Sequence, residues 1–138
     1  MSKADGFETS LLQLLFTATT IVGVASGITG SYWLSLHFAD PGEAGNQASS
    51  ETGYGGYARQ SVARTTAGFT ITGSQVTLTA SVTFPQSTNT ASTITHFGVG
   101  TVSQGSTTLF YSGTVTPNIT INTNVTPALT TGTNITED

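Results

Sequence analysis

Charge and cysteine are scarce in this sequence of 138 residues. Only 7% of the residues are charged, against about 25% in ordinary domains. The cations are Lys3, Arg59 and Arg64, and seven acids give a formal net charge of −4. Nucleic acids and anionic membranes both bind through basic faces, so we expect neither as a partner. The absence of cysteine excludes disulfides, thiolate metal sites and cysteine nucleophiles.

Charge is missing altogether from one long stretch, because no Asp, Glu, Lys or Arg stands between Arg64 and Glu137. The stretch is rich in Thr, Ser, Asn and Gly, and its polar residues alternate with apolar ones. Disordered chains are instead low in hydrophobicity and high in net charge. A surface of hydroxyl groups has little charge repulsion to keep copies apart. We therefore expect a protein packed against neighbours, with self-association among its contacts; the alternative is a monomer with a hydroxyl-rich surface.

The N-terminal region predicts one amphipathic helix over about residues 6–22. Asp5 and Glu8 form an acidic variant of the capping box, and Gly23 would end the helix. A cleaved signal peptide or a membrane anchor is less well supported, because the flank is not positive and polar residues interrupt the apolar run. The residues expected to share the buried side are Leu11, Leu14, Leu15, Ala18 and Val22.

Residues 31–138 predict a β domain, and the whole chain, 1–138, is expected to be a single domain. Thr72-Gly73-Ser74 is a hairpin signal. The spacing of short strands with hydroxyl-rich outer positions favours an antiparallel β-sandwich or jelly-roll-like fold. The clearest alternation runs from Val76 to Phe84. The other predicted strands are Tyr32–Phe38, Tyr57–Arg64, Phe69–Ile71, Thr93–Thr101, Thr107–Val115, Asn118–Ile121 and Thr131–Thr136.

Candidate catalytic and metal-binding residues are few. His37 and His96 could pair with Asp40 and a serine in a hydrolytic triad, but no G-x-S-x-G pattern occurs. Asp40, Glu43 and Glu51 could supply oxygens to calcium, although their spacing matches no EF-hand loop. We therefore predict a protein that is not an enzyme and has no catalytic residues, cofactor or metal.

Four residues are candidates for a protein interface. Tyr54 and Tyr57 stand in a glycine-rich loop, where aromatic anchors are common. Arg59 and Arg64, five residues apart on a predicted strand, point to opposite faces and could anchor an interface, where Arg is enriched. The alternatives are that the tyrosines cover one end of the core, and that each arginine pairs with a loop acid or extends to solvent.

An ordered set of motifs resembles a family of small virion structural proteins of tailed bacteriophages. The resemblance runs from Trp33 to the end of the chain, with two departures. Phe38 stands where family members commonly carry Thr, which would enlarge the core, and the segment 132–135 is more polar than is usual. The motifs are Trp33–Gly42, Gly53–Arg59, Val82–Pro85, Thr93–Thr101, Leu109–Gly113, Thr126-Pro127 and Ile135–Asp138.

The resemblance implies a non-enzymatic virion protein, assembled in the host cytoplasm and bound to the major capsid protein or other virion proteins. A small acidic β domain could stabilise a capsid shell by binding only its assembled state, with many copies adding avidity. Capsid decoration, or cementing, is therefore the function that the sequence favours. The alternatives are a tail- or fibre-associated structural protein, and a receptor- or glycan-binding module that uses the Tyr54/Tyr57 loop.

Overall fold

The computed structural model describes residues 4–21, 27 and 29–136. These residues form one helix near the N-terminus and antiparallel strands, which confirms the predicted mainly β class. The described part of the chain holds no helix with the length and apolarity needed to cross a membrane. The elements are α1 (Asp5–Thr17), β1 (Ser31–His37), β2 (Gln60–Ala63), β3 (Phe69–Thr72), β4 (Gln75–Leu78), β5 (Val82–Thr83), β6 (Ile94–Gly100), β7 (Leu109–Ile119), β8 (Ala128–Leu129) and β9 (Asn134–Thr136).

The chain divides into two compact units. The first comprises Met1–Ser31, Val62–Ser81 and Thr130–Asp138, and the second comprises Tyr32–Ser61 and Val82–Leu129. Both units are discontinuous in sequence, because the chain returns to the first unit twice. The expectation of a single domain over 1–138 stays a prediction.

Helix α1 in the first unit is shorter than predicted. It ends at Thr17, where Ala18 turns left-handed at φ 54° and the N–H of Thr19 donates to Gln13 O. The predicted stop at Gly23 lies outside the described residues. The capping box is also wrong, because Ala4 is the N-cap and no side chain bonds to it, while Asp5 and Glu8 fall within the first turn.

The buried side of α1 differs from the predicted one. Leu12 and Phe16, four residues apart, are the fully buried pair, whereas Leu11, Leu14 and Leu15 are half-buried. Of the other predicted residues, Ala18 is half-buried and follows the helix, and Val22 lies outside the described residues. The Phe16 ring meets Phe69 edge to face with centroids 5.0 Å apart. The helix therefore packs through Phe16 on β3, the first strand of a β3-β4-β9 sheet.

The hairpin of the first unit forms where the sequence predicts it. β3 pairs antiparallel with β4, and Thr72 stands opposite Gln75 across a tight turn. Gly73 has φ +60° in this turn, a conformation that glycine adopts without strain. The turn signal Thr72-Gly73-Ser74 therefore predicted the position of this hairpin correctly.

The long predicted strand Val76–Phe84 is wrong, since it divides into β4 and β5 with a bend between them. The break follows Thr79, whose N–H donates to Gly68 O at 3.0 Å and whose hydroxyl donates to Thr66 O at 3.1 Å. These bonds hold Thr79 in the first unit, whereas Val82 begins the next segment of the second. The Thr79 N–H bond is in register with the Phe69–Leu78 pair, so β4 stays with β3 up to this point and the predicted strand does not continue into β5.

A four-stranded sheet has the order β2-β1-β6-β7. β1 pairs antiparallel with β6, and β6 with β7. The alternation of apolar and polar residues in Tyr32–Phe38 is typical of a strand with one solvated face, but Leu34 to His37 are all buried. Phe38, expected in the core, is 45% exposed just beyond the strand.

Two other predicted strands have different bounds. The segment Tyr57–Arg64 contributes only β2, so Tyr57 and Arg59 precede the strand and Arg64 follows it. The separate strands Thr107–Val115 and Asn118–Ile121 are one strand, β7, which continues through Pro117. Pro is compatible with this position because β7 lies at the edge of its sheet.

Candidate functional site

A buried ion pair in the second unit joins the loop after β1 to the segment before β2. Arg59 Nε lies 2.7 Å from Glu51 Oε1, and a second guanidinium nitrogen lies 2.7 Å from Oε2. The side chains are 3% and 15% exposed. The two parallel bonds make this a bidentate pair, the strongest form of Arg–carboxylate contact, and they raise the pKa of Arg59.

Arg59 also donates hydrogen bonds to main-chain carbonyl groups. Its remaining N–H groups donate to Val102 O at 3.1 Å, Gly105 O at 2.9 Å and Gln47 O at 3.3 Å. One guanidinium therefore fixes both the loop after β1 and the loop between β6 and β7. This matches the alternative in which Arg59 pairs with a loop acid.

The two tyrosines of the glycine-rich loop point inwards. Tyr57 donates its hydroxyl hydrogen to Glu51 Oε1 at 2.8 Å and accepts the N–H of Leu36 at 3.1 Å. Tyr54 is 2% exposed and donates to Pro85 O at 2.9 Å. Burial raises the pKa of Tyr54 to about 12 and, with the Glu51 carboxylate, raises that of Tyr57 further. Tyr54 belongs to the core of the second unit, and Tyr57 is half-buried beside it.

The two histidines do not form a triad. His37 is fully buried, with Nε2 2.9 Å from Ser35 Oγ and Nδ1 2.8 Å from Ser49 O. Burial lowers the pKa of His37 and favours the neutral ring. His96 stands opposite His37 in the register, with its Nδ1 2.8 Å from the hydroxyl of Thr95. Ser35 and His37 are thus enclosed, so a substrate has no route to them in this conformation.

The three loop acids are not gathered into one site. Glu51 bonds to Arg59, whereas Asp40 accepts the N–H of Gly42 at 2.9 Å. Asp40 and Glu43 are both exposed. Among the residues that the structure describes, no group of three His, Asp or Glu side chains could hold a metal ion.

Arg64 has a structural role that sequence reasoning missed. In the first unit its Nε donates to Leu15 O at 2.5 Å and a terminal nitrogen donates to Leu14 O at 2.8 Å. These carbonyls belong to the last turn of α1, where a cation is favoured by the helix dipole. The acceptors lie some fifty residues away in the sequence, so no local signal identifies them.

The structure thus gives all four candidate interface residues contacts within the chain. In the second unit Tyr57 and Arg59 both bond to Glu51, whereas Tyr54 bonds to Pro85 O. In the first unit Arg64 binds the helix. Their role at a protein interface stays a prediction.

A surface feature of the second unit lies along β7. A cavity of about 400 Å³ has the loop from Asp40 to Gly45 on one side and four consecutive residues, Leu109 to Ser112, on the other. Phe110 is 45% exposed there and meets Tyr32 edge to face at 5.8 Å. The four consecutive lining residues belong to both faces of β7, because successive strand residues point to opposite faces. In the sequence, the alternation of uncharged residues over 109–115 was the signal that could have pointed to this surface.

Comparison with protein families identifies the chain. The model of one family, described as Podophage GP4 fiber I protein gp80, matches residues 3–136. No curated protein matches the chain. The match covers nearly the whole sequence and confirms the resemblance to virion structural proteins of tailed phages. The chain therefore belongs to the Podophage GP4 fiber I protein gp80 family and is a protein of the phage virion.

Proposed function

We propose that the chain is a non-enzymatic structural subunit of a virion fibre, bound to other virion proteins. The observation that carries this proposal is the family match over residues 3–136, whose description is that of a fibre protein. It favours the fibre-associated alternative over the capsid decoration that the sequence favoured.

The interior of the second unit supports a structural role. The polar groups of Ser35, His37, Glu51 and Arg59 all bond to one another or to nearby main-chain groups. No buried side-chain nitrogen or oxygen of the described residues lacks a hydrogen-bond partner. A buried polar network whose groups are all hydrogen-bonded favours a single rigid conformation. A structural subunit needs such a conformation. A catalytic group must instead be accessible to its substrate.

The Tyr54/Tyr57 loop does not offer the exposed aromatic surface that the glycan-binding alternative requires. Stacking on a sugar needs an exposed aromatic face, but Tyr54 is buried and Tyr57 is half-buried against Phe84, with ring centroids 6.2 Å apart. The Tyr54/Tyr57 loop therefore supports the core and does not offer an aromatic surface.

The test is to shear fibres from purified virions and quantify this chain in the sheared and shell fractions by mass spectrometry. The major capsid protein serves as the reference for the shell. We expect the chain to leave with the fibres and to have a low copy number per virion. Hundreds of copies that remain with the shell would contradict the proposal and restore capsid decoration.

A further inference from the structure

The chain offers very few sites to proteases that cut after lysine or arginine. Such a protease binds the cationic side chain in an acidic pocket, as trypsin does. The sequence contains only Lys3, Arg59 and Arg64. Lys3 lies outside the described residues, and a cut after it would remove only the first three residues. The resistance of the folded chain to these proteases therefore depends on Arg59 and Arg64.

The guanidinium group of Arg59 is buried and fully engaged. Its nitrogens bond to both carboxylate oxygens of Glu51 and to three main-chain carbonyl groups. The peptide bond that a protease would cut joins Arg59 to Gln60, the first residue of β2, and β2 is paired with β1. A protease can bind this site only after the ion pair has broken and the start of β2 has left the sheet.

Arg64 lies in a segment that exposure alone would mark as cleavable. It is half-buried, and the turn that follows it, Thr65 to Ala67, is exposed. Exposed turns are common sites of proteolytic cleavage. The guanidinium group nevertheless donates to two carbonyl groups in the last turn of α1. The main-chain N–H of Arg64 donates to Gly30 O at 2.9 Å. The side chain is thus bound to the helix in the folded chain.

We infer that the fold protects both arginines from trypsin-type proteases by binding their guanidinium groups within the chain. Cleavage at either arginine then requires local opening of the contacts that hold it. When opening and closing are fast relative to cleavage, the rate of cleavage follows the population of the open form. The inference goes beyond the proposed function and does not depend on it, because the protecting contacts lie within one chain.

Replacement of each arginine by lysine tests the role of the guanidinium group. Lysine is still a trypsin site, but one ammonium group cannot reproduce the planar fork of N–H donors. The purified chains are incubated with trypsin, and the first cuts are identified by intact-mass spectrometry. A lost bond to a charged group changes the open population by on the order of ten-fold. Arg59→Lys should be cut after residue 59, and Arg64→Lys after residue 64, faster than wild type by at least this factor, while the other site stays protected.

Thr66→Arg is the matched control, because it places an arginine in the same exposed turn as the site after Arg64. The Thr66 carbonyl accepts the Thr79 hydroxyl, and this bond does not involve the replaced side chain. The control should be cut after residue 66 under conditions in which wild type stays intact. Circular dichroism checks that each variant is folded, and a chromogenic arginine peptide checks that the trypsin is active.

Three results would overturn the inference. The first is wild type that is cut at Arg59 or Arg64 as fast as the control is cut. The second is a control or folded lysine variants that resist trypsin as wild type does, because the main chain alone would then protect these sites. The third is equal acceleration at both sites in either lysine variant, because general unfolding would then explain the cleavage. If Arg59→Lys does not fold, Arg64→Lys still tests the inference.

Discussion

The Glu51–Arg59 pair should be the most sensitive point of the second unit. In the variant Arg59→Met, the Glu51 carboxylate keeps only the bond from Tyr57, and the carbonyls of Val102 and Gly105 lose their donor. Removing one partner of a buried ion pair costs about 3–5 kcal/mol, because the remaining charge is left uncompensated. Whole domains are stable by only about 5–15 kcal/mol, so we expect a large loss in the free energy of unfolding.

Urea unfolding followed by the fluorescence of Trp33 measures this loss directly. Trp33 is the sole tryptophan, lies in the same unit as the pair, and accepts a bond from Gln47 at its carbonyl. Glu51→Gln and the double variant complete a double-mutant cycle. The double variant should be less destabilised than the sum of the single ones, because no unpaired charge then remains.

Glu43→Gln is the control for the chemical change, since Glu43 is exposed. It should alter the free energy of unfolding by no more than about 0.5 kcal/mol. A loss below about 1 kcal/mol for Arg59→Met is typical of exposed ion pairs. That result would refute the argument that this network holds the two loops.

Three further predictions concern packing and titration. Phe16→Ala should reduce stability by about 3–5 kcal/mol, measured by thermal melting followed by helical circular dichroism. Phe7→Ala, on the exposed side of α1, should change stability by less than about 0.5 kcal/mol. Equal effects of the two variants would contradict the packing of α1 on β3. The pKa of Tyr54 is raised to about 12, so Tyr54 should contribute about 1.4 kcal/mol per pH unit to a fall in stability between pH 10 and 12, because the unfolded state ionises first. Tyr54→Phe should remove this contribution and leave that of Tyr57, whose pKa is also raised. The pKa of His37 is lowered by burial, so stability should decline as pH falls below about 6.5, where the unfolded state binds the proton first; a decline of the same size in His37→Gln would assign it to other groups.

Local patterns predicted the elements whose register depends on neighbours in sequence. The β3–β4 hairpin follows from a glycine turn between alternating residues, and β6 lies within the predicted segment Thr93–Thr101. The helix was predictable, but its buried side was not, because apolar residues occur on several sides of α1 and their spacing fits more than one stripe. Leu12 and Phe16 are buried because of the surface that they contact, and the periodicity of apolar residues carries no information about that surface.

The polar network was mostly beyond sequence reasoning. Each arginine had a plausible acid or solvent contact, but nothing in the sequence shows that Arg59 reaches the carbonyls of Val102 and Gly105. Gln47 is fully buried with its amide 2.6 Å from Trp33 O, and an isolated glutamine carries no signal for burial. Such contacts join residues distant in sequence, so they follow only from the tertiary fold.

The position of the chain on the virion tests the central claim most directly. Antibody fragments raised against the purified chain can be bound to intact virions and located by electron microscopy, with fragments against the major capsid protein as the reference for the shell. We expect label on the fibres and none distributed over the capsid. Label in a regular array over the capsid surface would contradict it.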